Sequence, residues 1–444
     1  MGLFDKWFGS SSSKKENQPN IRFGRYSDSY KTPEQLEFWD KANKQFDKKE
    51  FLDSYDSFFQ YLADPKTKNV TYSREGDQIN FELLQGSKKI SGAANNQFVK
   101  AKTTVVKSDR LNVGFMRRLI EQNYSFKYAK FCLNDNDEVT MKFDTFTIDG
   151  SPYKLYYALK EMAINSDKQD DLLSNEFEML HQIDTDHTEA IPENEKNIKH
   201  KYTQKWIAET LARIDEMDRT KYAGGVTFLL LNLIYKLDYL IQPEGFMMET
   251  LEKCHNIYFA RDNKTSEQKS IVLIKELKKI QERTSEDLGK ELYSVKSTFG
   301  ITTPSGHEQV AGTINGELPK MDWYKDNEYP LVAVSIPGYV AGYNMFNFAV
   351  PQPDREYFHL LFEILESDYF KELGIDNGYV NDKGQLQISV IRDEIHAIAK
   401  SNTKKFPKLA PITKDIRFDL LTEFAKSFTF MIRDLDLTPA TKKA

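Results

Sequence analysis

The run Val226 to Ile241 constrains this chain most. It reads Val-Thr-Phe-Leu-Leu-Leu-Asn-Leu-Ile-Tyr-Lys-Leu-Asp-Tyr-Leu-Ile. Apolar side chains occur all round its circumference, so as a helix it has no face to give to water. A membrane span needs about 20 predominantly apolar residues. This run is shorter and carries Asn232, Lys236 and Asp238. It therefore predicts a helix at the centre of a bundle. The neighbouring sequence supplies partners, with helices expected near 197–218, 221–241, 244–260 and 266–296 and breaks at Pro192, Pro243 and Arg261-Asp262-Asn263-Lys264. No strand pattern stands out from 179 to 300, which reads as a helical domain.

Sequence ahead of the bundle is mixed. Thr32-Pro33-Glu34-Gln35 has the form of a helix start, with Thr32 as cap, Pro33 in the first turn and Gln35 closing a capping box. Phe51, Leu52, Tyr55, Phe58, Phe59 and Leu62 then line one helix face. Ile79, Phe81 and Leu83 alternate as a strand, and Gln97 to Val106 is another, with Gly86 and Gly92 expected in the connection. A helix from Asp109 has Val113, Met116, Leu119 and Ile120 as its apolar positions and Asn123 at its end. The clearest hairpin runs from Phe126 to Asp144 with its turn at Asn134 to Asp137. Ser151-Pro152 opens a long helix to Leu173.

The end of the chain also reads as mixed. Leu331 to Ile336 and Tyr343 to Val350 are expected strands, with Gly338 and Gly342 in a turn between them. A helix from Pro351, a hairpin over 378–391 with its turn at Asn381 to Gly384, and a helix through Phe418 and Ile432 follow. This order of elements parallels the first mixed segment, so residues 329–435 are read as a structural duplicate of 70–173. The fold class is therefore α+β. Its parts are a tail over 1–31, an antiparallel-sheet domain over 32–178, a helical domain over 179–300 and a second α+β domain over 301–444. A length of 444 residues accommodates this number of folded domains.

Charge narrows the function. Lys and Arg total 61 against 67 Asp and Glu, a net charge of -6, and a general nucleic-acid binder is excluded on that balance. The basic pairs, Lys88-Lys89 among them, read as solvated surface. Two cysteines, Cys132 and Cys254, give no disulfide framework and fit a reducing, cytoplasmic compartment as inert thiols. The N-terminus lacks a secretory pattern, and Lys6 stands where a myristoylation signal wants Ser or Thr. Leu3, Phe4, Trp7 and Phe8 form an apolar plug on a polar tether. They are the candidate docking residues for a partner, a membrane surface or the protein's own body.

Asn112 to Asn123, the following hairpin, and Ser151-Pro152-Tyr153-Lys154-Leu155-Tyr156-Tyr157-Ala158-Leu159-Lys160-Glu161-Met162-Ala163 together resemble the YbjN-type and type III secretion chaperone-like family. The resemblance is one of pattern and covers about residues 35–178. It implies a small twisted antiparallel sheet with helices on one side and a binding protein, often dimeric, that holds a segment of a client. It implies no catalytic residues. The additional helical and C-terminal sections depart from the small single domains of secretion chaperones.

No spacing for a phosphate-binding glycine loop occurs, and Pro304-Ser305-Gly306 lacks the first glycine of a hydrolase elbow. His181, Asp184, Asp186 and His187 form the one local cluster of metal-ligand types, read as an exposed connection. His396 after Asp393 and Glu394 reads as structural rather than as a general base. Asp167, Asp170, Asp171 and Glu176 read as a solvated helix end. The expectation is a bacterial, cytoplasmic, non-enzymatic protein-binding or chaperone-like module. It has a protein client or partner or forms a homodimer, without catalytic residues, cofactor or metal, and docks through an open sheet edge or apolar groove. The alternatives are an enzyme with a composite site between domains and a membrane-peripheral scaffold anchored by the N-terminal tail.

Overall fold

The computed structural model describes residues 18–24, 31–64, 67–295, 299 and 302–440. Leu3, Phe4, Trp7 and Phe8 lie outside the described residues.

Two helices open the sheet unit: α1 (Pro33–Asp47) and α2 (Phe51–Leu62). The Thr32 side chain accepts the Gln35 N–H at 3.3 Å and the Gln35 side chain accepts the Thr32 N–H at 3.0 Å, as the sequence foretells. An antiparallel meander follows: β1 (Val70–Glu75), β2 (Gln78–Gln85), β3 (Lys88–Asn95) and β4 (Phe98–Ser108). Gly92 is therefore not in a connection. It sits within β3 opposite Phe81, whose ring lies where a Cβ would be. Then come α3 (Val113–Ser125), the hairpin β5 (Lys130–Leu133) and β6 (Glu138–Phe146), α4 (Pro152–Glu176) and β7 (Leu180–Gln182). The sheet order is β1-β2-β3-β4-β6-β5, and β7 adds to β4 beyond a register shift between Thr104 and Val106. Tyr55, Phe58 and Phe59 of α2 and Leu155, Leu159 and Met162 of α4 share one core with Ile79, Phe81, Val139 and Met141 of the sheet.

The helical part comprises β8 (Glu189–Ala190), α5 (Glu193–Asp215), α6 (Ala223–Ile241), α7 (Gly245–Phe259), α8 (Ser266–Gln281), α9 (Ser285–Lys290) and β9 (Tyr293–Ser294). The single helix expected over 266–296 is two helices, because Thr284 caps a new start by accepting the Asp287 N–H. The chain continues through β10 (Thr303–Pro304), α10 (His307–Glu317), α11 (Lys320–Asp326), α12 (Pro330–Asn347), β11 (Phe348–Ala349), α13 (Gln352–Leu365), α14 (Ser367–Glu372), α15 (Ile388–Asn402) and α16 (Leu421–Arg433). As expected, α6 is a central helix. It is the one described helix long and apolar enough to cross a membrane, and 83% of that stretch is buried within the protein.

The mixed α+β class holds, but the strands expected near the C-terminus do not. Residues 331–336 lie in α12, and apart from the short β10–β11 pairing and one Val380–Leu386 bridge the segment is helical. A short, continuously apolar run has no sequence periodicity to separate strand from helix. The stretch 385–391, read as a strand, turns into α15 at Ile388. Residues 329–435 therefore do not repeat 70–173. Helices α5 to α16 also bury their side chains in one shared core rather than two. Gly338 and Gly342 are not in a turn. They face Asn232 and Tyr235 of α6, where a Cβ at either position would collide, and so let the two helices close together.

Candidate functional site

Asn112 caps α3 by accepting the Gly114 N–H at 2.7 Å. Phe115 and Leu119, one turn apart, point into the sheet core. The opposite face should then be polar. Instead its centre holds Val113, Ile120 and Tyr124, exposed by 81, 67 and 95%, with Met116 beside them. Arg117 and Glu121 flank the stripe and pair at 3.0 Å. Leu111 before the helix and Leu133 on β5 are also exposed.

Several bonds fix this helix in place. Arg118 forms an ion pair with Glu176 of α4. The Glu161 carboxylate accepts the backbone N–H groups of Lys127, Tyr128 and Ala129 at 2.8–2.9 Å, which holds the loop after α3. Asn123 accepts the Phe131 N–H at 2.7 Å and donates to the Phe131 carbonyl at 2.9 Å. One side-chain amide thus occupies both outward backbone groups of edge strand β5 at that residue.

A second feature joins the sheet unit to the helices. The β2–β3 turn, Gln85-Gly86-Ser87-Lys88, presses on α4, and Gly86 at φ +52 has the Asp167 carboxylate where a Cβ would be. Asp167 accepts from the Ser87 N–H at 2.8 Å and from the Gln85 amide at 3.1 Å. Asp170 accepts from the Ser87 hydroxyl at 2.6 Å and pairs with the Lys88 ammonium at 2.9 Å. Asp171 accepts from Gln182 at 2.5 Å and from the Tyr293 hydroxyl at 3.0 Å. His187 Nε2 lies 3.1 Å from the Gly86 carbonyl, and Gln85 accepts the Phe299 N–H at 2.6 Å. Lys168 of α4 reaches Glu249 and Glu252 of α7.

Three carboxyls are gathered out of water around one ammonium that pairs with Asp170 alone, so burial and mutual repulsion disfavour their ionised forms. Burial, with Asp170 nearby, raises Asp167 to about 7. Burial raises Asp170 although Lys88 opposes it. Burial and both neighbours hold Asp171 well above the usual range. The solvated helix end expected for these acids is therefore wrong except at Glu176. The surface reading of Lys88 is wrong too, since its side chain has no exposure. Acids, a base and hydroxyls from distant segments do meet here, but each is bonded to another and closed from solvent. As arranged, the cluster fastens two parts of the chain together.

The local cluster read from sequence is not assembled. His181 pairs with Asp109 at 2.7 Å on the surface, and His187 turns inward to Gly86. Among the described residues no three His, Cys, Asp or Glu side chains are placed to hold a metal. His396 is exposed on α15. Cys132 is half-buried, and Cys254 is buried and pushed up to about 12 by that burial. His307 Nδ1 meets buried Asp354 at 2.8 Å, but its Nε2 faces the Arg433 carbonyl at 3.1 Å, so neither ring nitrogen points to open space.

The sequence reading missed both features. It groups Val113, Met116, Leu119 and Ile120 together as the apolar positions of one helix, whereas Leu119 is buried and Val113 and Ile120 are exposed. The signal was the pairing of Phe115 with Leu119 on one side and of Val113, Ile120 and Tyr124 on the other. The buried Lys88 was visible only as a residue in phase with Ile90 along a strand.

These features define an α+β protein in which a sheet unit with an exposed apolar helix is locked to a large helical unit. No protein-family model matches the chain, and no curated protein matches it.

Proposed function

We propose that this chain is a non-enzymatic, chaperone-like protein-binding module of a bacterial cytoplasm. Its docking surface is the outer face of α3, which receives a protein client or partner. The observation that carries this reading is the stripe Val113, Ile120 and Tyr124 at the centre of a solvent-facing helix surface. A contiguous exposed apolar surface is the usual mark of a recognition site. The aromatic Tyr124 and the flanking Arg117 are side chains favoured at binding hot spots. The resemblance of residues 35–178 to the YbjN-type and secretion chaperone-like family supports the same reading. The mode is a helix face rather than strand addition at β5, because Asn123 occupies that edge.

The test is affinity capture from native lysate with wild type and with the triple variant Val113→Ser, Ile120→Ser, Tyr124→Ser. One protein should be retained stoichiometrically by wild type and lost by the variant, with circular dichroism unchanged. Equal retention by both proteins, or no retained protein, contradicts the reading.

A further inference from the structure

Residues 18–24 lie along the helical unit, where a plain tail was expected. The site they occupy is built on the end of α6. The last carbonyls of a helix have no donors within it. Here Tyr239 O accepts the Gly24 N–H at 2.9 Å, and Leu240 O accepts the Tyr369 hydroxyl at 2.8 Å. The Phe23 ring sits with its centroid 5.1 Å from Phe370, 5.3 Å from His359 and 6.5 Å from Tyr239. The Tyr239 hydroxyl lies 3.0 Å from His359 Nδ1. Burial, with the Arg355 charge nearby, lowers His359 to about 4, so the ring box is uncharged at neutral pH.

The site discriminates. Gly24 is at φ +80, and a Cβ there would fall 2.6 Å from the Tyr239 ring. Only glycine fits, on both counts. Ile21 and Phe23 both pack on the helical core, the Gln18 amide donates to Asn377 at 3.0 Å, and the Arg22 guanidinium donates to the Val295 carbonyl at 3.2 Å. The segment is thus held by two apolar anchors two positions apart, a backbone bond and an obligatory glycine.

We propose that this groove is a peptide-binding site for segments of the pattern apolar–any–aromatic–glycine, and that residues 18–24 are its tethered ligand. The proposal is independent of the α3 reading. The partner class is an extended peptide with a phenylalanine–glycine step, bound in place of the chain's own arm.

The probe is a fluorescein-labelled synthetic peptide of residues 17–27, titrated by anisotropy into the full-length chain. One protein is wild type and the other carries Phe23→Ala and Gly24→Ala, which empty the groove of its own arm. The doubly substituted protein should bind saturably and the wild type at least tenfold more weakly. Placing Phe23→Ala in the peptide should cost at least tenfold. Equal binding by the two proteins, no binding by either, or indifference to the peptide's phenylalanine overturns the proposal. If the substituted protein does not fold, wild type decides. Excess of the same peptide carrying Arg22→Gln and Arg25→Gln, which trypsin does not cut, should speed tryptic cleavage of the wild type after Arg22 by displacing the arm, and an unchanged rate overturns the proposal.

Discussion

Lys88 Nζ stands 2.9 Å from Asp170 Oδ2, and neither side chain has any exposure to solvent. The ammonium also donates to the carbonyls of Val105 and Ile183 at 2.9 and 3.0 Å. Its three donors are therefore all used, on β4, on α4 and on the chain after β7. Removing one member of a buried pair leaves the other charge uncompensated, whereas replacing both with apolar groups can be nearly neutral. Lys88→Met should lower unfolding stability by about 3–5 kcal/mol, read from the urea midpoint at neutral pH. Lys88→Met with Asp170→Leu should recover most of that loss. A double variant as weak as the single one would mean that the pair does not act as a unit.

The carboxyl cluster gives a pH signature of known sign. A carboxyl raised on folding keeps its proton in the native state after the unfolded chain has released one. Stability then falls as pH rises from the ordinary carboxylate range, about 4, through the folded value, which for Asp167 is about 7. Asp171→Asn removes one such group and keeps its bonds, because an amide can accept from Gln182 and donate to the Tyr293 hydroxyl. Between pH 4 and 7 the variant should lose less stability than wild type and should be the more stable of the two at pH 7. Parallel pH profiles would refute the assignment.

Asn123 guards an edge. Asn123→Ala strips both of its bonds from Phe131 and opens the backbone of β5. The expected cost is about 1–3 kcal/mol, with increased self-association by light scattering as the edge becomes available for pairing. Unchanged stability and scattering would show that the amide plugs nothing.

Helix packing in the second unit depends on a glycine. A Cβ at position 342 would meet Tyr235 of α6, as one at 338 would meet Asn232. Gly342→Ala should force α6 and α12 apart and cost about 1–3 kcal/mol by thermal or urea unfolding. A neutral result would mean that the helices yield without penalty.

Much of the architecture was legible because it was local. The Thr32–Gln35 box, the hairpin at Asn134 to Asp137 and the central helix from Val226 each announce themselves within a few residues. What was not legible depended on which residues come together in space. Lys88 looks like half of a surface pair until β3 is paired with β2 and β4, which turns it inward beside α4. Asp167, Asp170 and Asp171 look solvated until the β2–β3 turn covers them. The stretch from Leu331 has β-branched residues and reads as a strand, yet Val332, Ala333, Ser335 and Ile336 are buried in a helix, α12, that packs on α6. The α3 face was hidden for a related reason. An apolar residue in a helix is assigned to the core by default, and only the position of Phe115 and Leu119 shows that Val113, Ile120 and Tyr124 face the other way.

The most direct measurement of the central claim is site-specific photo-crosslinking on α3. A benzophenone amino acid replaces Tyr124, which is 95% exposed, in the full-length chain in its native lysate. The same group at Glu75 on β1 is the control. One discrete protein adduct should form at Tyr124, abolished by adding Ile120→Asp and absent from the control. Adducts no different at Tyr124 and Glu75, or an adduct indifferent to Ile120→Asp, would contradict the claim.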